Sequence, residues 1–292
     1  MNELNILNAG RADSIVCLFD DQETQRCVVI DGGVYDYEGR HVLIDFLHQR
    51  GISQIDLLVL THLHQDHYGG LCWLDEGIKV CHAVVPCGDL VFNQTVLDSH
   101  QAEDFWLEYH RAFAYMEKTK TQMMTSREAS GRVFRFGECA LQCIYPLEDS
   151  ELISVKTIQE IATPNLTEEE MKRLFLRFKK YCNGDSSIWT LRCGKRQIAL
   201  LAGDSTVVTM DAALQRYPFH PEVLKLSHHG MNYNLFNPGL KYFSAEQIAA
   251  LDPQIVVVPN SSDMAEKTCA ECEELGAARI HYTWDSDFCY TF

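Results

Sequence analysis

Apolar residues gather along this chain in short runs separated by stretches of helical spacing. The runs predict strands at Leu4–Leu7, Ser14–Phe19, Cys27–Ile30, Leu57–Leu60 and Val84–Val85, with a helix at His41–Arg50 ended by Gly51. Between Leu90 and Asn183 the pattern changes. Gln101–Lys120 reads as a helix, because Phe105, Trp106, Tyr109, Phe113 and Met116 are spaced for one face. Two short strands, Arg132–Phe136 and Ala140–Tyr145, follow across a turn at Gly137. Past Pro164, Thr167 and Glu170 form a capping box that starts a helix over Glu168–Tyr181. Its Lys172, Arg173, Arg177, Lys179 and Lys180 read either as a solvated face or as a patch that steers anions. The whole stretch 90–183 is too long for a plain connection. It is expected to be an insertion holding specificity elements within one domain spanning 1–292. From Ser186 the alternation resumes, with a hairpin of Ile188–Cys193 and Gln197–Ala202 across Gly194-Lys195, then a strand at Val223–Ser227.

The strand ending at Leu60 runs straight into His62, His64, Asp66 and His67. Alternate side chains of an extended segment share a face, so His62 and His64 can close on one cation. Asp66 and His67 sit where the chain must turn and can reach a second. Imidazole with carboxylate suits zinc, manganese or iron rather than calcium. Gly69-Gly70 is expected to supply positive φ for a loop wrapped tightly round ions. Asp204 stands just past another apolar strand, placed to bridge two cations with one oxygen each. His228-His229 follows a third strand. Neighbouring extended residues point opposite ways, so one histidine is expected to ligate and the other to hydrogen-bond substrate or leaving group; which does which stays open. Asp31, after an apolar run and before two glycines, is expected to orient a ligand histidine or its loop. Asp13 and Ser14 are weaker candidates for the same task.

Composition narrows the picture. At 292 residues and 46% hydrophobic, the chain can bury a large core. It opens Met1-Asn2-Glu3 without a charged-then-apolar leader. No apolar run approaches the roughly 20 residues of a membrane helix, so a cytoplasmic protein without membrane contact is expected. Many of its twelve cysteines (Cys17, Cys27, Cys139, Cys143, Cys193) fall inside apolar strands, as reduced thiols do. Cys269-x-x-Cys272 lies in a helical pattern and reads as ordinary helix. The net charge of −16 argues against gripping a long nucleic acid, whose phosphates call for a basic surface. It favours a small or singly anionic substrate.

The His62-x-His64-x-Asp66-His67 motif resembles the signature of the metallo-β-lactamase superfamily. Leu7-Asn8-Ala9-Gly10 to Asp13-Ser14, Val29-Ile30-Asp31-Gly32-Gly33, Leu200-Leu201-Ala202-Gly203-Asp204 and Leu224-Lys225-Leu226-Ser227-His228-His229-Gly230 sharpen the resemblance to the ComEC-type hydrolase domain of DNA uptake and its soluble relatives. The segments run from residue 3 to about 230 in the family's order. The resemblance implies an α/β fold, the αββα sandwich of two mixed sheets flanked by helices, with two divalent metals at one edge. It makes Asp204 the bridging ligand. One departure is informative. Where many members place a third histidine for the first metal, this chain has Asn183-Gly184-Asp185-Ser186-Ser187. Asp185 or water is expected to fill the gap, with His82, His100 and His110 as alternatives. Oxygen in place of imidazole shifts preference from zinc towards manganese.

The expected chemistry is hydrolysis by a hydroxide shared between two cations about 3.5–4 Å apart. A phosphodiester suits such a site, since two non-bridging oxygens can bind the metals. Catalysis falls to Asp66, His228 and His229, with Tyr233 a further proton donor and Asn232 an oxyanion donor. Three classes remain: a phosphodiesterase or nuclease, a lactonase or β-lactamase-like hydrolase of C–O or C–N bonds, and a metal-binding component of a multi-protein defence or signalling system.

Overall fold

The apolar runs assemble into two sheets in the computed structural model, which describes residues 1–21, 24–88, 103–163, 165–277 and 279–292. The first sheet holds β1 (Glu3–Ile6), β2 (Ser14–Asp21), β3 (Thr24–Gly32), β4 (Gln54–Val59), β5 (Lys79–Val85), β6 (Gln122–Thr125) and β14 (Phe288–Thr291), in the order 14-1-2-3-4-5-6. The second holds β7 (Val133–Phe136), β8 (Cys139–Tyr145), β9 (Ile188–Cys193), β10 (Arg196–Leu201), β11 (Val223–Lys225), β12 (Ile255–Val258) and β13 (Ile280–Tyr282), in the order 13-12-11-10-9-8-7. Both mix parallel and antiparallel pairs.

Strand periodicity explains the layers. Val28, Ile30, Leu57 and Val59 point into a core shared with Leu141, Trp189, Leu191 and Val257 of the opposite sheet. Their neighbours Val29 and Leu58 turn to the other face. There they meet α1 (Val42–Gln49), α3 (Glu103–Lys118), α4 (Ile153–Ile161) and α5 (Glu168–Tyr181), through Leu43, Leu47, Phe113, Ile158 and Phe178. The outer face of the second sheet is covered in the same way by α6 (Val207–Arg216), α7 (Ala245–Leu251) and α8 (Ala265–Glu273). Strands buried on both faces read as unbroken apolar runs, as these do. The architecture is the αββα sandwich.

The stretch expected to be an insertion is woven into that sandwich. It supplies β6 to the first sheet and β7 and β8 to the second, while Phe175 and Phe178 of α5 join the core. Its strands find their hydrogen-bond partners in both sheets rather than in each other alone. Thr167 and Glu170 cap α5 reciprocally. His100 and the Phe105 and Trp106 side chains lie outside the described residues. Cys269 and Cys272 both fall on α8. Among the described residues, no helix is long and apolar enough to cross a membrane.

Candidate metal centre

Three strand ends and one short helix converge at one edge of the sandwich. β4 delivers His62 and His64, and the chain then turns into α2 (Gln65–Tyr68), which carries Asp66 and His67. Gly69 and Gly70 follow, but the sequence-based reason for them needs correction. Gly69 has a helical φ of −54°, and Gly70 is absent from the positive-φ positions. They are required because the backbone at the end of β3 and just after it comes too close. A Cβ on Gly70 would lie 2.0 Å from the Gly32 carbonyl, and one on Gly69 2.4 Å from the Tyr35 nitrogen.

β10 delivers Asp204, and the turn after β11 delivers His228 and His229. Asp204 is 1% exposed, and its two oxygens face different partners. Oδ2 lies 3.7 Å from His62 Nε2, whose other neighbour is His64 Nδ1 at 3.1 Å. Oδ1 lies 3.5 Å from His67 Nε2 and 3.6 Å from His229 Nε2. Asp66 Oδ2 is 3.2 Å from the same His229 nitrogen. Two donors about 2.1 Å from one tetrahedral ion stand about 3.4 Å apart. His62, His64 and Asp204 therefore form one three-donor group, and Asp66, His67 and His229 a second, with Asp204 between them.

The donors also lack other partners. His67 Nε2, His229 Nε2 and Asp204 Oδ1 are buried without a well-directed hydrogen bond, an arrangement that costs free energy unless a cation satisfies it. The residues present fit a pair of divalent cations.

The neighbours of these donors orient them. Asp31, fully buried with φ 58°, accepts the Thr61 N–H at 2.8 Å, the Thr61 hydroxyl at 2.7 Å and His67 Nδ1–H at 2.8 Å. Thr61 Oγ1 in turn lies 3.2 Å from His62 Nδ1. Both imidazoles thereby turn Nε2 towards Asp204. Asparagine tolerates the left-handed backbone, so Asp31→Asn is expected to fold. It is expected to weaken metal affinity or turnover by about 10–100-fold, measured by competition with a chromophoric chelator.

Electrostatics separates the histidines. Burial drives His62 well below the usual imidazole range, assisted by His67, and burial likewise lowers His64. Burial is the largest influence on His67 and His229 and opposes their charge, yet it is outweighed by the carboxylates together: Asp204 and Asp31 at His67, and Asp204, Asp13 and Asp66 at His229. His67 is held well above its ordinary range and His229 is raised to about 9. Burial favours neutral Asp66 and Asp204, but His229 and His67 hold both carboxylates ionised. A cation must displace the protons of His67 and His229. Because these sites are raised, metal affinity is expected to climb as pH rises from 7 towards 9, with about one to two protons released per chain at pH 7. Calorimetric titrations in buffers of different ionisation enthalpy measure that release.

The adjacent histidines also part company. His229 is buried, with Nδ1 3.2 Å from Asp13 Oδ1. His228 instead donates its Nδ1–H to Met231 O over 2.8 Å, stacks on Tyr242 at 3.8 Å and lines the cleft above the donors. The two have φ of 55° and 49°, so neither is extended as the alternation argument assumed. Geometry makes His229 the ligand candidate and His228 a wall of the cleft.

Several predicted residues are engaged elsewhere. Asp185 accepts the Ser154 N–H and hydroxyl, each at 2.6 Å, at the start of α4. It does not join the donor groups. Asn232 binds the turn itself: its Nδ2 donates to Phe243 O and its Oδ1 accepts from Tyr242 N. That leaves it poorly placed as an oxyanion donor. Tyr233 lines the cleft with Lys267 3.2 Å from its ring centroid. His82 contacts Asp56 O at 3.2 Å and His110 sits beside Tyr109 on α3, both apart from the donor groups. At the missing third histidine, Ser186 Oγ accepts the Asp204 N–H at 3.0 Å, and Asn183 lines the cleft with a buried Oδ1 that lacks a hydrogen bond.

Sequence reading passed over Lys225. It sits in an apolar strand and is 0% exposed. Its ammonium donates to Gly203 O at 2.8 Å and pairs with Asp13, the residue beside His229. A lysine at an inward strand position was the available signal.

Comparisons agree with this geometry. Residues 16–129 match the family described as the metallo-beta-lactamase superfamily. ComE operon protein 3 of Bacillus subtilis (strain 168) is 33% identical over 99 residues, spanning 30% of this chain but 13% of that protein. Igni18, a metallo hydrolase from the archaeon Ignicoccus hospitalis, superposes with a TM-score of 0.51 at 14% identity, covering 100% of this chain and 99% of its own. A diphosphatase from the PhnP family does so with a TM-score of 0.51 at 13% identity, covering 100% and 98%. With two mixed sheets between helices and the His-x-His-x-Asp-His cluster at their edge, the chain has the αββα fold, matches the metallo-β-lactamase superfamily over residues 16–129, and resembles the ComEC-type members over part of its length.

Proposed function

We propose that the protein hydrolyses a phosphodiester with the help of two divalent cations, zinc or manganese. The observation that carries this reading is Asp204, whose two oxygens face two separate donor groups. His62 and His64 would hold one ion with Asp204, and Asp66, His67 and His229 the other. Held there, such cations would supply a lowered pKa for water and charge neutralisation for a phosphoryl group. The diphosphatase that shares the fold supports phosphate chemistry.

The chain's own groups supply positioning. Asp31 and Thr61 fix the imidazoles, and Asp13 with Lys225 holds His229. Burial lowers His228 to about 4, so it is neutral near pH 7. A neutral His228 whose Nδ1–H is given to Met231 O offers Nε2 as an acceptor to substrate. It is a poor acid for the leaving group. Tyr233 is one of the cleft hydroxyls available for that task, with Tyr37 and Ser261.

Protein loaded with manganese or zinc is tested on bis(p-nitrophenyl) phosphate, nitrocefin and a simple lactone. Turnover of the phosphate diester alone, lost in His229→Ala with secondary structure intact, is the expected result. Turnover of nitrocefin or lactone without the diester overturns the reading in favour of C–N or C–O hydrolysis. Bound metal with no turnover of any substrate overturns it in favour of a metal-binding assembly role.

A further inference from the structure

The donor groups open into a cleft of about 800 Å³, within the range of about 300–1,000 Å³ that encloses small ligands. Apart from the donors, its charged lining is balanced: Arg11 and Lys179 against Asp36 and Asp263. A cleft that tracked a polymer backbone would need an excess of cations along it. None is present among the described lining residues.

The cleft has a ring at its rim instead. Phe236 is 45% exposed yet held in place. Asn234 Oδ1 accepts the Phe236 and Asn237 N–H groups at 2.7 and 3.0 Å, and its Nδ2 donates to the Tyr242 hydroxyl at 2.6 Å. Tyr242 is the residue on which His228 stacks. The turn presenting Phe236 is thus tied to the wall of the centre. From the opposite side Lys179 of α5 brings its ammonium to 5.6 Å from the Phe236 centroid. A turn held by a buried asparagine thus presents an exposed phenyl with a cation over one of its faces, a planar surface and a positive charge at one spot.

We propose that this cleft selects a short phosphodiester bearing a nucleobase, stacked on Phe236 beside Lys179, in preference to a nucleic-acid polymer. The inference rests on the phosphodiesterase reading above. It makes Phe236 a specificity residue set apart from the reacting atoms.

The test compares thymidine 5′-(p-nitrophenyl phosphate) with methyl p-nitrophenyl phosphate, which share a leaving group and differ in the nucleoside. Wild type is expected to prefer the thymidine ester in kcat/KM by about tenfold, the size of one base–aromatic stack. The preference is expected to vanish in Phe236→Ala, through KM, and to survive in Phe236→Tyr. Equal kcat/KM on the two esters in wild type overturns the proposal, as does a preference unchanged in Phe236→Ala. So does a long thymidylate strand cleaved with higher kcat/KM than thymidylyl-thymidine. If neither ester turns over, the phosphodiesterase reading fails by itself. Calorimetry with adenosine 5′-monophosphate and ribose 5-phosphate then judges the cleft alone. Tighter binding of the former, lost in Phe236→Ala, sustains base recognition, and equal binding overturns it.

Discussion

Asp204→Ala is expected to empty both metal positions and to lower phosphodiester turnover by at least about a thousandfold, equal to ~4 kcal/mol of barrier. Among the described residues no other carboxylate faces both donor groups. His62 faces one of its oxygens and His67 and His229 the other. Removing Asp66 would deprive one group of a donor, whereas removing Asp204 would take one from each, and among the described residues it is the anion the two groups share. Elemental analysis after gel filtration and single-wavelength kinetics measure the two effects. Circular dichroism separates them from unfolding. The backbone turn should persist, because the Asp204 N–H given to Ser186 Oγ does not depend on the side chain. Two retained metals per chain in this variant would refute the bridging assignment.

Lys225→Met is expected to cost about 3–5 kcal/mol of stability in the metal-free protein, the range for removing one partner of a buried ion pair. Methionine matches the length and leaves little cavity, so the loss comes from charge. Burial raises Asp13, but Lys225, followed by His229, overcomes it and holds the carboxylate below its ordinary range. A depressed acid contributes stability present above its unfolded pKa of about 3.9 and lost as pH falls through the folded value. That contribution at neutral pH is what the variant forfeits. Urea unfolding reads it, and Lys225→Met with Asp13→Asn should recover part of it, because no unpaired carboxylate then remains buried. An unchanged midpoint in the single variant would show that His229 alone suffices as the counter-charge of Asp13.

Much of the centre was legible before any coordinates. His62, His64, Asp66 and His67 are close in sequence, and strand and helix periodicity alone brings such residues together. The helix start at Thr167 and the doubly buried strands were equally local, since capping and apolar runs are written within a few residues. Asp31 was legible in role because an acid between an apolar strand and two glycines has few structural alternatives.

Other features depended on distant segments. His228 and His229 are indistinguishable by pattern, and only the approach of Asp13, Asp66 and Asp204 selects His229. Asp185 looked free to donate an oxygen, but the start of α4, about thirty positions earlier in the chain, claims it. The stretch 90–183 showed its elements without showing their neighbours, and strand pairing sent them to both sheets. Lys225 read as an outlier in an apolar strand until Asp13 was brought against it. The sequence by itself determined the sandwich's elements, the histidine cluster and the kind of ion it suits, because those rest on periodicity and short-range spacing. Which of the adjacent histidines faces the donor groups, what engages Asp185 and which charge lies against Asp13 were decided by tertiary structure, because Coulomb and hydrogen-bond partners are set by distance in space.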